Sequence, residues 1–382
     1  MLINWWMMPP PGWAWIGYVL FLLASLTQLY FYWGGFRRAA FFRPPAKTGF
    51  SGPVSIVICA RNEYHNLETN LPFVLNQDYS TFEVVVVDDG SDDESDILLQ
   101  KLQTEHPHLK VVRLKENVNF FKGKKLALSV GIKSAAHDHI LLTDADCRPA
   151  SPHWITRMAD NFGEQSEIIL GYGAYGKRPG LLNLLIRYDT FFIALQYFGL
   201  ALAGKPYMGV GRNLAYHRSL FYRVRGFTSH YKVMSGDDDL FVNQVATSRN
   251  AAVELHPHSH TVSVPKTSFR SWFRQKRRHM GTGRYYKAAH KRRLGIFNLS
   301  QISFYPLLVF CMVSGWESLA GIAAAALFLL RTFSVQLIQY RFSLKLNERK
   351  IFPFSLLLDL IHPFLNFIFV FSNLSGTTRS WK

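Results

Sequence analysis

The run from Trp13 to Trp33, WAWIGYVLFLLASLTQLYFYW, carries no charged residue. A helix needs about 20 such residues to cross the hydrocarbon of a bilayer. Inside that hydrocarbon every backbone polar group must be satisfied within the segment, so a single apolar run can only be a helix. Tryptophan and tyrosine at both ends suit the two interfaces. The start Met1-Leu2-Ile3-Asn4 lacks a basic region and no small-residue cleavage site follows, which separates the run from a cleaved signal peptide. Arg37, Arg38, Arg43 and Lys47 follow the run, and no Lys or Arg precedes it. The positive-inside rule then puts the N-terminus outside and residue 37 onward in the cytosol.

Three further apolar stretches lie in the C-terminal third, at about Leu299 to Trp316, Ser318 to Ile338 and Phe354 to Phe371. The connection holding Glu317 is very short. The one holding Arg341, Lys345, Arg349 and Lys350 is basic and therefore expected in the cytosol. Four spans with both termini outside fit these connections, with Arg379 and Lys382 on the disfavoured side. Arg331, Asp359 and His362 lie inside spans and are costly unless they face other helices or a polar path. The stretch Leu181 to Ala203 is also apolar, but Arg187 and Asp189 interrupt it, so it reads as an interfacial helix or a buried domain helix.

Between these ends the chain reads as an ordinary folded domain. Val54 to Ala60 (VSIVICA) and Glu83 to Val87 (EVVVV) are near-continuous apolar runs, with shorter ones at Val111 to Leu114 and Ile140 to Leu142. Such Val/Ile-rich runs are what parallel strands covered on both faces require. Helical patterns alternate with them, with Asn66 and Ser91 as candidate caps and GKKLALSVGIKSAA after the third strand. The expectation is an α/β domain with an open, doubly wound, mainly parallel sheet. The division reads as an N-terminal transmembrane helix over 1–36, a catalytic domain over 37–295 and a C-terminal transmembrane region over 296–382.

Ligands in such sheets bind beyond the carboxyl ends of the strands. Polar residues gather there: Ala60-Arg61-Asn62-Glu63, Asp88-Asp89-Gly90-Ser91 and Asp144-Ala145-Asp146. Asp144 and Asp146 offer the hard oxygens that suit Mg²⁺ or Mn²⁺ together with substrate phosphates, although a capped turn would look the same in isolation. Asp88 and Asp89 could hold a nucleoside, or simply frame the tight turn that Gly90 permits. Lys124 could pair with phosphate or with an aspartate of the cluster. In Ser235-Gly236-Asp237-Asp238-Asp239-Leu240 three adjacent carboxylates repel one another. That tends to raise pKa values and can tune a general base; a solvated helix start is the plain alternative.

The formal net charge is +17, which suggests a polyanionic partner. Much of it lies between Lys266 and Arg293, a stretch without an acidic residue and interleaved with Phe269, Trp272, Phe273, Tyr285 and Tyr286. Its place just before a span favours anionic lipid or a pyrophosphate over nucleic acid. His256, His258 and His260 fall on one face of a strand if the segment is extended, and a plain strand is preferred to a zinc site. Cys59, Cys147 and Cys311 are far apart with no C-x-x-C pair, which argues against a disulfide framework or a zinc cage.

Taken in order, Arg61-Asn62-Glu63, Asp88-Asp89-Gly90, Asp144-Ala145-Asp146, Gly236-Asp237-Asp238, Val264-Pro265-Lys266-Thr267 and Gln275-Lys276-Arg277-Arg278 resemble the membrane-bound family 2 glycosyltransferases. That group includes hyaluronan, chitin and cellulose synthases and bacterial lipid-linked transferases. The resemblance runs from about residue 54 to 278. It implies a GT-A fold, a nucleotide-sugar donor (a UDP-sugar foremost), Mg²⁺ or Mn²⁺ as cofactor, and a lipid or glycan acceptor. It further implies an integral protein of the bacterial cytoplasmic membrane with a cytosolic catalytic domain, membrane lipids as partners and no nucleic acid. By resemblance Ala60, Glu63, Asp88, Asp89 and Lys124 surround the nucleotide. Asp144 and Asp146 bind the donor, Asp146 through the metal. Asp238, with Asp237 beside it, matches the base. Gln275 and Arg278 match the Q-x-x-R-W motif beside acceptor and pyrophosphate. His279 stands where that motif has tryptophan, which favours single addition over a processive polysaccharide synthase. A membrane-anchored scaffold with an inactive transferase fold is the alternative of another class. Tyr172, Tyr175, Met208, Arg212 and Asn213 are candidates for the sugar pocket.

Overall fold

A computed structural model describes residues 10–45, 49–114 and 123–372. Met1 to Asn4, Lys47, Arg379 and Lys382 lie outside the described residues.

The strands are β1 (Val54–Ala60), β2 (Phe82–Asp88), β3 (Leu109–Arg113), β4 (His139–Asp144), β5 (Cys147–Pro149), β6 (Ile168–Leu170), β7 (Gly173–Tyr175), β8 (Leu214–His217), β9 (Ala251–Val253) and β10 (Thr261–Ser263). Seven of them form one sheet in the order β3-β2-β1-β4-β8-β6-β9. The pairs β1/β2, β1/β4, β2/β3 and β6/β9 are parallel; β4/β8 and β6/β8 are antiparallel. This is the mainly parallel, GT-A-like sheet expected. All seven residues of β1 are buried because both faces are covered. Ile56 and Ile58 pack into one core with Leu67, Leu71 and Trp154, while Val57 and Cys59 point into the other, against Leu128 and Ile132. The alternation follows from the period of two along a strand. Fully burying each such aliphatic side chain stabilises by about 2 kcal/mol.

The register sets up the chemistry. Ala60 pairs with Asp88, and Cys59 with Asp144, so three strands deliver their polar ends to one edge. A smaller sheet, β5-β10-β7, brings Cys147 opposite Ser263 and Ser263 opposite Tyr175.

Two helix starts differ from expectation. The first helix of the domain runs over Tyr64–Leu75, so Asn66 lies inside it; the second runs over Ser95–Glu105, beyond Ser91. Asp93 serves both starts instead, accepting from Tyr64 N at 3.0 Å and from Ser95 N at 3.1 Å. The three-histidine segment is not a strand either. Pro257 opens a 3-10 turn over Pro257–Ser259, and β10 begins only at Thr261. All three cysteines are buried and free.

Among the described residues four helices are long and apolar enough to cross a membrane: Gly12–Ala40, Ala288–Gly315, Leu319–Lys345 and Arg349–Ser372. The divisions at 36 and 295 therefore fall inside the first and second of these helices. Only 28% to 44% of each most apolar window is buried. Ile16, Val313, Leu329 and Phe333 all face outward, an apolar exposure that a water-facing surface rarely carries. The polar residues within these helices turn inward, as their cost in an apolar surrounding would demand. Arg331 pairs with Asp359, both 1% exposed. Its Nε also donates to Gln28 at 2.8 Å, while Tyr305 donates to Asp359 at 2.7 Å. His362 meets Asp189 at 3.3 Å.

The interrupted apolar stretch forms a helix over Leu181–Leu202 that is buried along most of its length, the second of its two readings. Arg187 pairs with Glu348 and Asp189 with Lys276. Gly199 lets this helix approach the first span, since a Cβ there would lie 2.8 Å from the Phe36 Cα.

Candidate active site

At the end of β1, Asn62 adopts a left-handed backbone with φ 53°, which asparagine tolerates better than most residues. Its side chain accepts from Asp92 N at 2.8 Å, its own N–H donates to Ser91 Oγ at 3.0 Å, and Asp89 N donates to Ala60 O at 2.8 Å. The loops after β1 and β2 are thus stitched together. Asp88 is buried and accepts from the backbone N–H and hydroxyl of Ser91. Its carboxylate is committed to the turn, whereas Asp89 is half-buried. Burial raises the Asp89 pKa against the opposing pull of Arg61. Glu63 accepts from the Asn66 amide.

Asp144 ends β4 and pairs with Lys124. Burial works against its charge, but the ammonium outweighs it and holds the carboxyl below the ordinary range. For Asp146, burial and then the charge of Asp144 push the pKa up, against the pull of Arg212. Ligand atoms of Asp144, Asp146 and Cys147 lie within 4.8 Å of one another. Cys147 Sγ is 2.8 Å from Ser263 Oγ, so the two carboxylates are the hard donors available. Their incompletely balanced charge is what a divalent cation would neutralise, with phosphate oxygens completing its shell. Arg212 stacks over the Tyr175 ring at 4.4 Å, donates to Ser263 at 3.2 Å and is held charged partly by Asp146 and Asp144.

The three acids at 237–239 divide their work. Asp239 is buried and accepts from Thr282 and, at 2.7 Å, from Tyr286, anchoring the turn to the segment after the basic helix. Asp238 is half-buried and accepts from Gly211 N and from Asp239 N, each at 2.7 Å. Burial, then Asp237, then Asp239 raise its pKa to about 7. Asp237 is felt at Lys124. The Cys59 thiol, at the end of β1, senses Lys124, Asp237, Asp144 and Asp89 together, so these charges share one cleft. The basic helix Phe269–Met280 borders it. Gln275 donates to Tyr175 Oη at 3.2 Å, Lys276 is fixed to Asp189, and His279 acts electrostatically on Asp144.

Residues 55–225 match the family model described as glycosyl transferase family 2. Over those residues the chain resembles a family 2 glycosyltransferase domain. It is 25% identical over 144 residues to an "Uncharacterized glycosyltransferase" of Haemophilus influenzae, covering 38% of this chain and 41% of that one. It is 32% identical over 93 residues to the poly-beta-1,6-N-acetyl-D-glucosamine synthase of Staphylococcus aureus, covering 24% and 21%. The matched segments thus span well under half of either relative. Among solved structures, a mannosyltransferase from Pyrobaculum calidifontis, in complex with GDP-Man and Mn²⁺, superposes with a TM-score of 0.58 at 19% identity. The alignment covers 91% of this chain and 98% of that one, a likeness of fold.

The fold brings Asp89, Lys124, Asp144, Asp146, Asp237 and Asp238 to one cleft, with Ala60 buried beneath. Three sugar-pocket candidates do not belong there. Asn213 is buried and joins Trp154 Nε1, Tyr172 O and Ser259 O at 2.7 to 3.0 Å, and Tyr172 itself is 1% exposed in the core. Met208 packs partly buried against the same core. Tyr175 and Arg212 remain at the site. Sequence reasoning missed Lys125 and Gly211. Lys125 is buried and donates to the carbonyls of His230, Val233 and Ser235 at 2.5 to 2.8 Å, holding the loop that leads into Gly236-Asp237-Asp238. The doubled lysine at a helix start was the available signal, since successive side chains point about 100° apart and need not share a face. Gly211 acts through its backbone N–H, which leaves no mark in a side-chain pattern.

Proposed function

We propose that the transferase moves a sugar, with inversion, from a nucleotide diphosphate donor (a UDP-sugar foremost) to a lipid or glycan acceptor at the cytosolic membrane face. The observation that carries this reading is the Asp238 carboxylate. It is fixed by two backbone N–H groups and poised at about pH 7, in the cleft to which the β4 carboxylates belong. A base is most effective when its pKa lies near the working pH.

The acceptor hydroxyl oxygen attacks the anomeric carbon, the bond from that carbon to the diphosphate oxygen breaks, and the hydroxyl proton passes to Asp238. Asp144 and Asp146 would hold the divalent cation, Mg²⁺ or Mn²⁺. When bound it supplies positive charge to the departing diphosphate. Lys124, Arg212 and Arg278 add positive charge on the same side. Glu63 and Asp89 contact the nucleoside, above Ala60; Asp88 supports them through the turn. Gln275, Arg278 and His279 face the acceptor. The aromatic ring that the family motif places at 279 is here an imidazole, which supports single addition.

The basic connections and the outward-facing spans support a cytosolic catalytic domain, roughly 37–295 with its interfacial segment 266–293, on a bacterial cytoplasmic membrane. The test is nucleotide release by purified protein with Mn²⁺ across UDP- and GDP-sugars, with Asp144→Asn as control. Metal-dependent release from one donor, lost in the variant, is expected. Release that ignores both the metal and the variant would overturn the reading.

A further inference from the structure

We propose that a groove between the first two apolar helices binds one anionic phospholipid through its phosphate. The groove has a volume of about 480 Å³. Leu26 and Tyr30 from the first helix and Ile296 from the second form its apolar wall, and Arg292, Arg293 and Lys205 its charged end. The two helices are locked side by side. The Gln28 amide donates to Ser300 O at 2.9 Å, and the rings of Phe31 and Phe297 lie 4.8 Å apart.

Charge and exposure select the occupant. Three cations converge with no carboxylate in the lining. Among the described residues none of the three forms an ion pair. Such convergence is unfavourable until an anion neutralises it. Beside them Leu26, Tyr30 and Ile296 are 49%, 64% and 50% exposed, an apolar wall that suits an acyl chain and gives nothing to a soluble phosphate. Arg292 and Arg293 open the second span, at the end where Arg37 and Arg38 close the first, which is the level of the headgroups on the basic, cytosolic side. None of these residues belongs to the acidic cleft. The site rests on the membrane orientation proposed above and not on the transfer chemistry.

The test uses the full chain in detergent, with native mass spectrometry and thermal melting after addition of phosphatidylglycerol, phosphatidylcholine or sn-glycerol 3-phosphate. Nucleotide binding is measured in parallel as a control of the fold. One phosphatidylglycerol retained per chain, raising the melting temperature where phosphatidylcholine does not, is expected. Near a surface each basic side chain favours an anionic lipid by about fivefold, so the preference is on the order of 100-fold for three. K205Q/R292Q/R293Q should lose that preference and keep nucleotide binding. Thr27→Trp, which fills the groove without changing charge, should lose the bound lipid. Equal retention of phosphatidylcholine, retention by both variants, or an equal shift with sn-glycerol 3-phosphate alone would each overturn the proposal.

Discussion

Asp238→Asn should raise stability at alkaline pH while abolishing turnover, and the two effects have one cause. The carboxyl sits at about 7 against an ordinary 3.8. At about 1.4 kcal/mol per unit, ionising it in the folded protein costs about 4 kcal/mol, shared with Asp237 and Asp239. Because the folded pKa is raised, the folded state keeps between pH 4 and 7 a proton that the unfolded chain has released. Stability therefore falls as pH rises through that window. Asparagine cannot ionise and escapes this loss. Its amide also turns one of the two oxygens that accept from Gly211 and Asp239 into a donor, a penalty of about 1–3 kcal/mol that does not change with pH. The separable quantity is thus the change with pH: relative to the parent, the variant should gain about 2.6 kcal/mol between pH 5 and pH 8. Melting curves at the two pH values read this as a gain of a few degrees. Nucleotide release at pH 8 should fall 10²- to 10⁴-fold, the range for loss of a general base. Parallel melting curves for parent and variant across pH, or unchanged turnover, would refute the assignment.

For the parent protein, kcat should rise with pH on a limb near 7 as Asp238 loses its proton, and the limb should vanish in Asp238→Asn; a flat profile from pH 5.5 to 8.5 would argue against that base. Lys125→Met leaves three loop carbonyls without their donor and should lower stability by about 3 kcal/mol. Its kcat should drop more than its donor affinity, since Asp144 and Asp146 stay in place; calorimetric donor titration beside the turnover assay separates the two. Arg331→Leu strands Asp359 in the helix bundle and should cost about 3–5 kcal/mol, whereas R331L/D359L should recover most of that by melting temperature. EDTA should abolish nucleotide release, and Mn²⁺ should restore it in the parent but not in Asp144→Asn.

What was legible in the sequence, and what was not, divides by the range of the forces involved. The strands carrying Ala60, Asp88 and Asp144 announce themselves because a strand covered on both faces must be apolar along its whole length, and its polar end then marks the cleft. The four apolar helices are legible for the same reason, as a solvent demand written on contiguous residues. Whatever depends on a partner distant in sequence was hidden. Asn66 and Ser91 are good local caps, yet one carboxylate, Asp93, serves both helix starts across the loops. Three adjacent aspartates look equivalent until Tyr286, 47 residues on, claims Asp239 and leaves Asp238 to the cleft. The charges inside the spans look like liabilities until Arg331 meets Asp359 and Gln28. In each case the sequence states a cost, an uncapped N–H or a buried charge, and the fold supplies the partner. A residue whose local rule appears broken is therefore the place to look for a long-range contact. In this chain Lys125 is the clearest case: a lysine on the inner face of a helix, which the three carbonyls of the loop before Gly236-Asp237-Asp238 account for.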